Sequence, residues 1–166
     1  VTSFRTERLV AHKADEMYDL VADVEAYPEF LPLCESLVVR SRAKEGGHDV
    51  VVATMTVAYR MIRESFTSRV TLDRANRTIR TDYINGPFNY LTSVWTFIPQ
   101  PEGKTLVGFT IDYELRSWML QALLGAVFDS AFRRFVEAFE ARANEVYGVS
   151  PAPPRRAAGS ARAPRP

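Results

Sequence analysis

Between Ser117 and Tyr147 apolar residues recur at steps of three and four, placing Phe128, Phe132, Phe135, Phe139, Ala143 and Val146 on one helical face. Arg133, Arg134, Glu137, Glu140 and Asn144 fall on the opposite, solvated face, and no proline interrupts the run. The pattern predicts one amphipathic helix over 117–147, capped by Ser117 and closed by Gly148, a residue type that terminates helices in a left-handed conformation. Its first turns depart from the pattern. Met119, Ala122, Leu123 and Ala126 project onto what later becomes the polar side, while Leu120, Leu124 and Val127 are apolar too. A helix apolar all round is either buried on both sides or offers apolar surface to something outside the fold.

Upstream, strand-like alternation dominates. Residues 3–12 read as a first strand, and Asp15 is placed to cap a short helix through Val24, with Met17, Leu20, Val21 and Val24 as its apolar stripe. In the following AYPEFLPLC segment (26–34), Pro28 and Pro32 forbid a continuous helix, so a helical turn followed by a bend is expected. Tyr27, Phe30, Leu31 and Leu33 crowd this bend, an apolar density that loops usually avoid. It fits either core packing or a lip over a cavity.

Strands are predicted near 35–45, 48–60, 62–73, 77–85, 90–99 and 104–115, separated by turn signals such as Gly46-Gly47 and Asn85-Gly86-Pro87. In the last of them Val107, Phe109, Ile111, Tyr113 and Leu115 alternate with Gly108, Thr110, Asp112 and Glu114, the signature of a sheet covered on one face. The order is strand, two short helices, six strands and a long helix. It predicts an α+β domain over 1–148, an antiparallel meander of about seven strands whose apolar face the final helix covers.

Charge then changes the picture of the C-terminus. The chain of 166 residues has a net charge of +1, but Arg155, Arg156, Arg162 and Arg165 all lie beyond Gly148 with no acid among them. Without them 17 basic face 20 acidic residues, a balance of about −3 that does not suit a nucleic-acid-binding body, and DNA is not expected as a partner. Residues 149–166, rich in Pro, Ala and Arg, cannot bury enough apolar surface to offset chain entropy and are expected to be a disordered tail. No apolar run is long enough to span a bilayer and no signal-peptide pattern opens the chain. The single Cys34 excludes an intrachain disulfide and fits a reducing compartment.

Candidates for catalysis are few. His12 and His48 have no Cys or His at ligand spacing, so neither a metal site nor a cofactor site is expected. Cys34 reads as a packed thiol, Asp112 and Glu114 as solvated strand residues, and Arg63 and Glu64 as structural salt-bridge formers. Large apolar side chains, by contrast, converge from several elements: Met55 and Tyr59, then Phe66, then Phe88, Tyr90 and Trp95 around the GPF turn, and Leu120, Leu124 and Phe128 from the helix. Phe30 and Leu31 would form an opposing lip. Such a set lines either a filled core or a ligand cavity. Tyr59, Tyr83, Tyr90 and Trp95 are the available hydrogen-bonding types for a ligand's polar end.

YPEFLPLC (27–34), ESFTSRV (64–70), GPFNYLTSVWTF (86–97) and FTIDYELRSWMLQALLGAVFDSAFRRFVEAFEARANEVYG (109–148) resemble the coenzyme Q-binding START-like proteins, over about residues 2–148. That family includes mitochondrial members and bacterial relatives named as ribosome-association toxins. The resemblance implies a helix-grip fold, a curved sheet wrapped around the C-terminal helix with a hydrophobic tunnel between them. It implies non-catalytic binding of ubiquinone or a similar polyprenyl lipid in support of respiration, with transient contact to a membrane surface. The alternative it carries is ribosome binding, and related helix-grip proteins include polyketide cyclases. Lacking an Arg-rich extension ahead of its first strand, the chain resembles the bacterial members, which implies a cytoplasmic protein that can sit peripherally on the inner membrane.

Overall fold

A computed structural model describes residues 2–149. The expected tail, apart from Val149, lies outside the described residues. The elements are β1 (Thr2–Val10), α1 (Ala14–Ala22), a 3₁₀ segment (Val24–Glu29), β2 (Cys34–Glu45), β3 (His48–Tyr59), β4 (Ile62–Asp73), β5 (Thr78–Asn85), β6 (Phe88–Gln100), β7 (Lys104–Leu115), α2 (Trp118–Arg133) and α3 (Phe135–Tyr147). The strands form one seven-stranded antiparallel sheet in the order β1-β7-β6-β5-β4-β3-β2. From β2 to β7 this is the predicted meander. β1 then pairs along β7, with Thr2 opposite Tyr113 and Val10 opposite Thr105.

Irregularities bend the sheet. Register shifts occur in β2 between Cys34 and Ser36 and again between Val39 and Ser41, in β5 between Tyr83 and Asn85 opposite Thr67 and Ser68, and in β6 between Phe88 and Tyr90. Each such shift kinks its strand and increases its twist, which curves the sheet around the helices. The tight β5–β6 turn depends on Gly86 (φ 144°), because a Cβ there would lie 2.6 Å from the Phe66 Cβ. The inward face of β7 is buried as its alternation indicates, from Val107 through Leu115. Trp95 stacks against Phe109 at 4.4 Å between ring centroids and meets Phe139 edge-on at 5.1 Å, while Phe88 stacks on Phe128 at 5.8 Å. Phe128, Phe132 and Phe139 are buried toward the sheet, and Phe135 packs on Phe109 at 5.9 Å.

The C-terminal helix differs from its expected form. It is two helices, broken at Arg134, whose N–H turns back to the Ala131 carbonyl at 3.0 Å in a tightened turn. No proline or glycine marks the break; its reason is tertiary. α2 lies over β7 and β1, whereas α3 packs on α1 as well as on the sheet through Phe135 and Phe139, so the two halves have different supports. Asn144, expected in solvent, is half-buried and hydrogen-bonded to the His12 ring at 2.7 Å, while Val146 is exposed.

The first helix also starts differently. Lys13 is its N-cap, its N–H donating to the Glu16 carboxylate at 3.1 Å, and Asp15 instead pairs with Arg77 at 3.0 Å. The helix ends at Ala22, and Val24 opens the 3₁₀ segment.

Candidate ligand cavity

Two adjoining voids lie between the concave sheet face and the elements covering it. The larger, about 90 Å³, is walled by Leu31, Pro32 and Leu33 of the bend on one side and by Phe128, Ala131, Phe132 and Phe135 on the other. Its floor comes from Met55, Phe66, Phe88, Leu91, Trp95 and Phe109. The smaller, about 60 Å³, reaches from Tyr27, Met55 and Trp95 to Ser68, Val70 and Ile79 under Val24 of the 3₁₀ segment. Both include Tyr27, Met55, Phe66, Thr81 and Trp95, so side chains alone separate them. A residue from α2 or α3 borders only the first.

The structure brings together Leu31, Met55, Phe66, Phe88, Trp95 and Phe128 around this space. Tyr59 and Leu124 border a separate crevice of about 10 Å³ with Leu33, Ile62 and Glu64. Leu120 packs against the core without lining either void. Phe30 turns to α3, where it meets Phe139 at 5.1 Å with the Arg142 guanidinium 5.3 Å above its ring. It is therefore no lip opposite the start of α2; Leu31, Pro32 and Leu33 instead share the larger void with the second half of α2, and only Leu33 reaches Leu124. Tyr83 is occupied, its ring against Phe88 and its hydroxyl accepting the Phe88 N–H at 3.2 Å. Tyr90 sits on the other side of the sheet, opposite Glu114, because the register shift after Phe88 reverses the alternation.

The polar atoms at the cavity come from smaller residues. Ser68, Thr81 and Ser93 stand on the inner face of β4, β5 and β6, and the alternation that places Phe66 and Val70 inward places Ser68 between them. A small hydroxyl residue in the middle of an apolar strand face is the signal that sequence reasoning passed over. Cys34 also lines the larger void, and burial pushes its thiol pKa up to about 11, so it is protonated at neutral pH. Burial, with Cys34 and Asp23 nearby, likewise raises the Tyr27 phenol, whose O–H donates to the Val21 carbonyl. No His, Asp, Glu, Lys or Arg borders either void among the described residues. His12 is engaged by Asn144, Arg63 by Glu35 at 2.5 Å, and Asp112 by Ser3 at 2.5 Å. The described residues contain no cluster of His, Cys, Asp and Glu able to hold a metal ion.

The outward side of α2 is apolar as well. Met119, Ala122, Leu123 and Ala126 are exposed at helical spacing beside Trp118, with Trp118 81% and Leu123 55% accessible. No helix among the described residues is long and apolar enough to cross a membrane.

Residues 10–140 match the family described as polyketide cyclase / dehydrase and lipid transport. The chain is 34% identical over 147 residues to the ribosome association toxin of Rickettsia prowazekii, covering 87% of this chain and 97% of that one. It is 30% identical over 154 residues to the mitochondrial coenzyme Q-binding protein homolog B of Xenopus laevis, covering 90% of this chain and 61% of that one. A Streptomyces aromatase/cyclase has the same fold at 21% identity, with a TM-score of 0.73 over 87% of this chain and 94% of that one. A seven-stranded sheet closed by α2 and α3 over an apolar cavity is the START-like helix-grip fold, and with these relatives the match over residues 10–140 shows that the chain belongs to the polyketide cyclase/dehydrase and lipid-transport family.

Proposed function

We propose that the protein is a non-catalytic carrier that holds ubiquinone or a similar polyprenyl lipid in this cavity and supports respiratory electron transport. The observation that carries the reading is an interior void lined by apolar and aromatic side chains with no charged group. An isoprenoid chain has no polar atoms, so an apolar wall recognises it, each buried methylene contributing roughly 0.8 kcal/mol. General acid–base chemistry would need a titratable pair poised near neutral pH in reach of the ligand, and the lining offers only Cys34 and Tyr27, both raised by burial and the Tyr27 O–H already donated to the Val21 carbonyl. The likeness to a coenzyme Q-binding protein supports the choice of lipid.

Voids of about 90 and 60 Å³ are smaller than the roughly 300–1,000 Å³ of typical ligand pockets, so loading requires a wall to move. In this reading the moving wall is α2, hinged at Arg134, which opens against the 31–34 bend. Its exposed apolar side then rests on a membrane surface, where the lipid is collected.

The test is organic extraction and mass spectrometry of the natively purified protein, followed by transfer of ubiquinone from vesicles. Bound quinone and saturable transfer are expected; neither on repeated preparation would refute the carrier. A second reading, ribosome binding, is favoured by the Rickettsia relative's coverage of nearly its whole length. Co-sedimentation with ribosomal subunits in the absence of any lipid binding would put it in first place.

A further inference from the structure

Ser68 is 5% exposed, and its Oγ has no hydrogen-bond partner among the described residues. A buried hydroxyl normally finds one, because losing water without replacement is costly. Its surroundings are specific. Ser68 lies opposite Tyr83, Thr81 lies opposite both Val70 and Ser93, and all three hydroxyl residues border the paired voids. They form a diagonal row over three neighbouring strands. Of the phenols nearby, Tyr27 donates to Val21 and Tyr83 accepts from Phe88, while the Tyr113 hydroxyl, also buried without a partner among the described residues, borders neither void.

The row also has a direction. Ser68 borders the smaller void, which Val24 and Tyr27 cap and which no residue of α2 or α3 touches, whereas Ser93 borders the larger one under α2. Polar atoms therefore begin in the main void and continue into the end remote from α2, which is the deep end for a ligand that enters under α2. We propose that Ser68, with Thr81 and Ser93, is a head-group subsite that binds an oxygen-bearing ring, the Ser68 hydroxyl donating to a ligand carbonyl oxygen. The ligand then enters head first, and its apolar chain extends from the deep end to α2. This rests on the carrier reading and specifies which end of the lipid is innermost.

The experiment compares two probes with the same tail, a ubiquinone bearing a decyl chain and decylbenzene, whose ring has no oxygens. Calorimetric titration of the full chain and of Ser68→Ala measures both. The wild type should prefer the quinone. Ser68→Ala should weaken quinone binding about 3- to 10-fold, the range for one net hydrogen bond, and leave decylbenzene unchanged. Its melting temperature should hold or rise, because the substitution removes an unpaired buried hydroxyl, and Ser68→Thr, which keeps the hydroxyl, should retain the preference for quinone. If Ser68→Ala changes both probes equally, or neither, the subsite is overturned while the carrier reading survives. If the wild type binds neither probe, the carrier reading fails and the subsite with it.

Discussion

Whether the space under α2 is a true void can be decided by the sign of one substitution, Ala131→Leu. Ala131 is buried on α2 between Phe128 and Phe132 and borders the void of about 90 Å³. Leucine adds three carbons, which at roughly 0.8 kcal/mol each would contribute about 2.4 kcal/mol if fully buried. Loss of leucine rotamer freedom offsets about 0.5–1 kcal/mol of that. The net expectation is a gain of about 1–2 kcal/mol, or a melting temperature higher by about 3–6 °C for a domain of this size. In a close-packed core the same change would overpack and cost about 1–3 kcal/mol instead. Urea unfolding followed by tryptophan fluorescence measures the difference, since Trp95 is buried beside the void. The variant should also bind decyl-ubiquinone more weakly, because the leucine occupies the ligand's space. Destabilisation by more than about 1 kcal/mol with quinone binding intact would refute both the void and its use.

Two further outcomes follow from the same geometry. Leu123→Glu should change stability by no more than about 0.5 kcal/mol, because Leu123 is exposed, yet slow quinone uptake from anionic vesicles; a loss of several kcal/mol, or unchanged uptake, would count against α2 as the docking face. Cys34, with its thiol raised by burial from 9.0 to about 11, should carry about a hundredfold less thiolate in the folded than in the unfolded protein at pH 8, and so resist thiol reagents until urea unfolds the chain. Since the folded state holds that proton more tightly, the contribution to stability is complete below pH 9 and is lost as the pH rises to about 11. Rapid labelling of the folded protein, or stability rising over that window, would contradict the burial.

What the sequence determined by itself is the set of surfaces that must be hidden. Val107 to Leu115 alternate with period two, and Phe128, Phe132 and Phe139 recur with helical period, so each element's buried face follows from side-chain direction alone. Turn residues then separated the strands, and short connections made them neighbours. The apolar outer side of α2 was legible for the same reason, as Met119, Ala122, Leu123 and Ala126 have no second sheet to cover them.

Other features were decided by tertiary structure. Tyr90 faces away from the cavity because one register shift after Phe88 reverses the period-two rule, and such a shift has no fixed residue signature. The break at Arg134 falls where the supports change, β7 with β1 under α2 and α1 added under α3, and local helix propensity does not record that. Phe30 is drawn to Phe139 and Arg142, which follow it by more than a hundred residues. Hollowness is the least legible property. A void is volume that converging side chains fail to fill, and the same Met55, Phe66 and Trp95 could close it or line it depending on sheet curvature. Ser68 acquires its meaning only there, where folding removes its hydroxyl from water and provides no partner among the described residues in return.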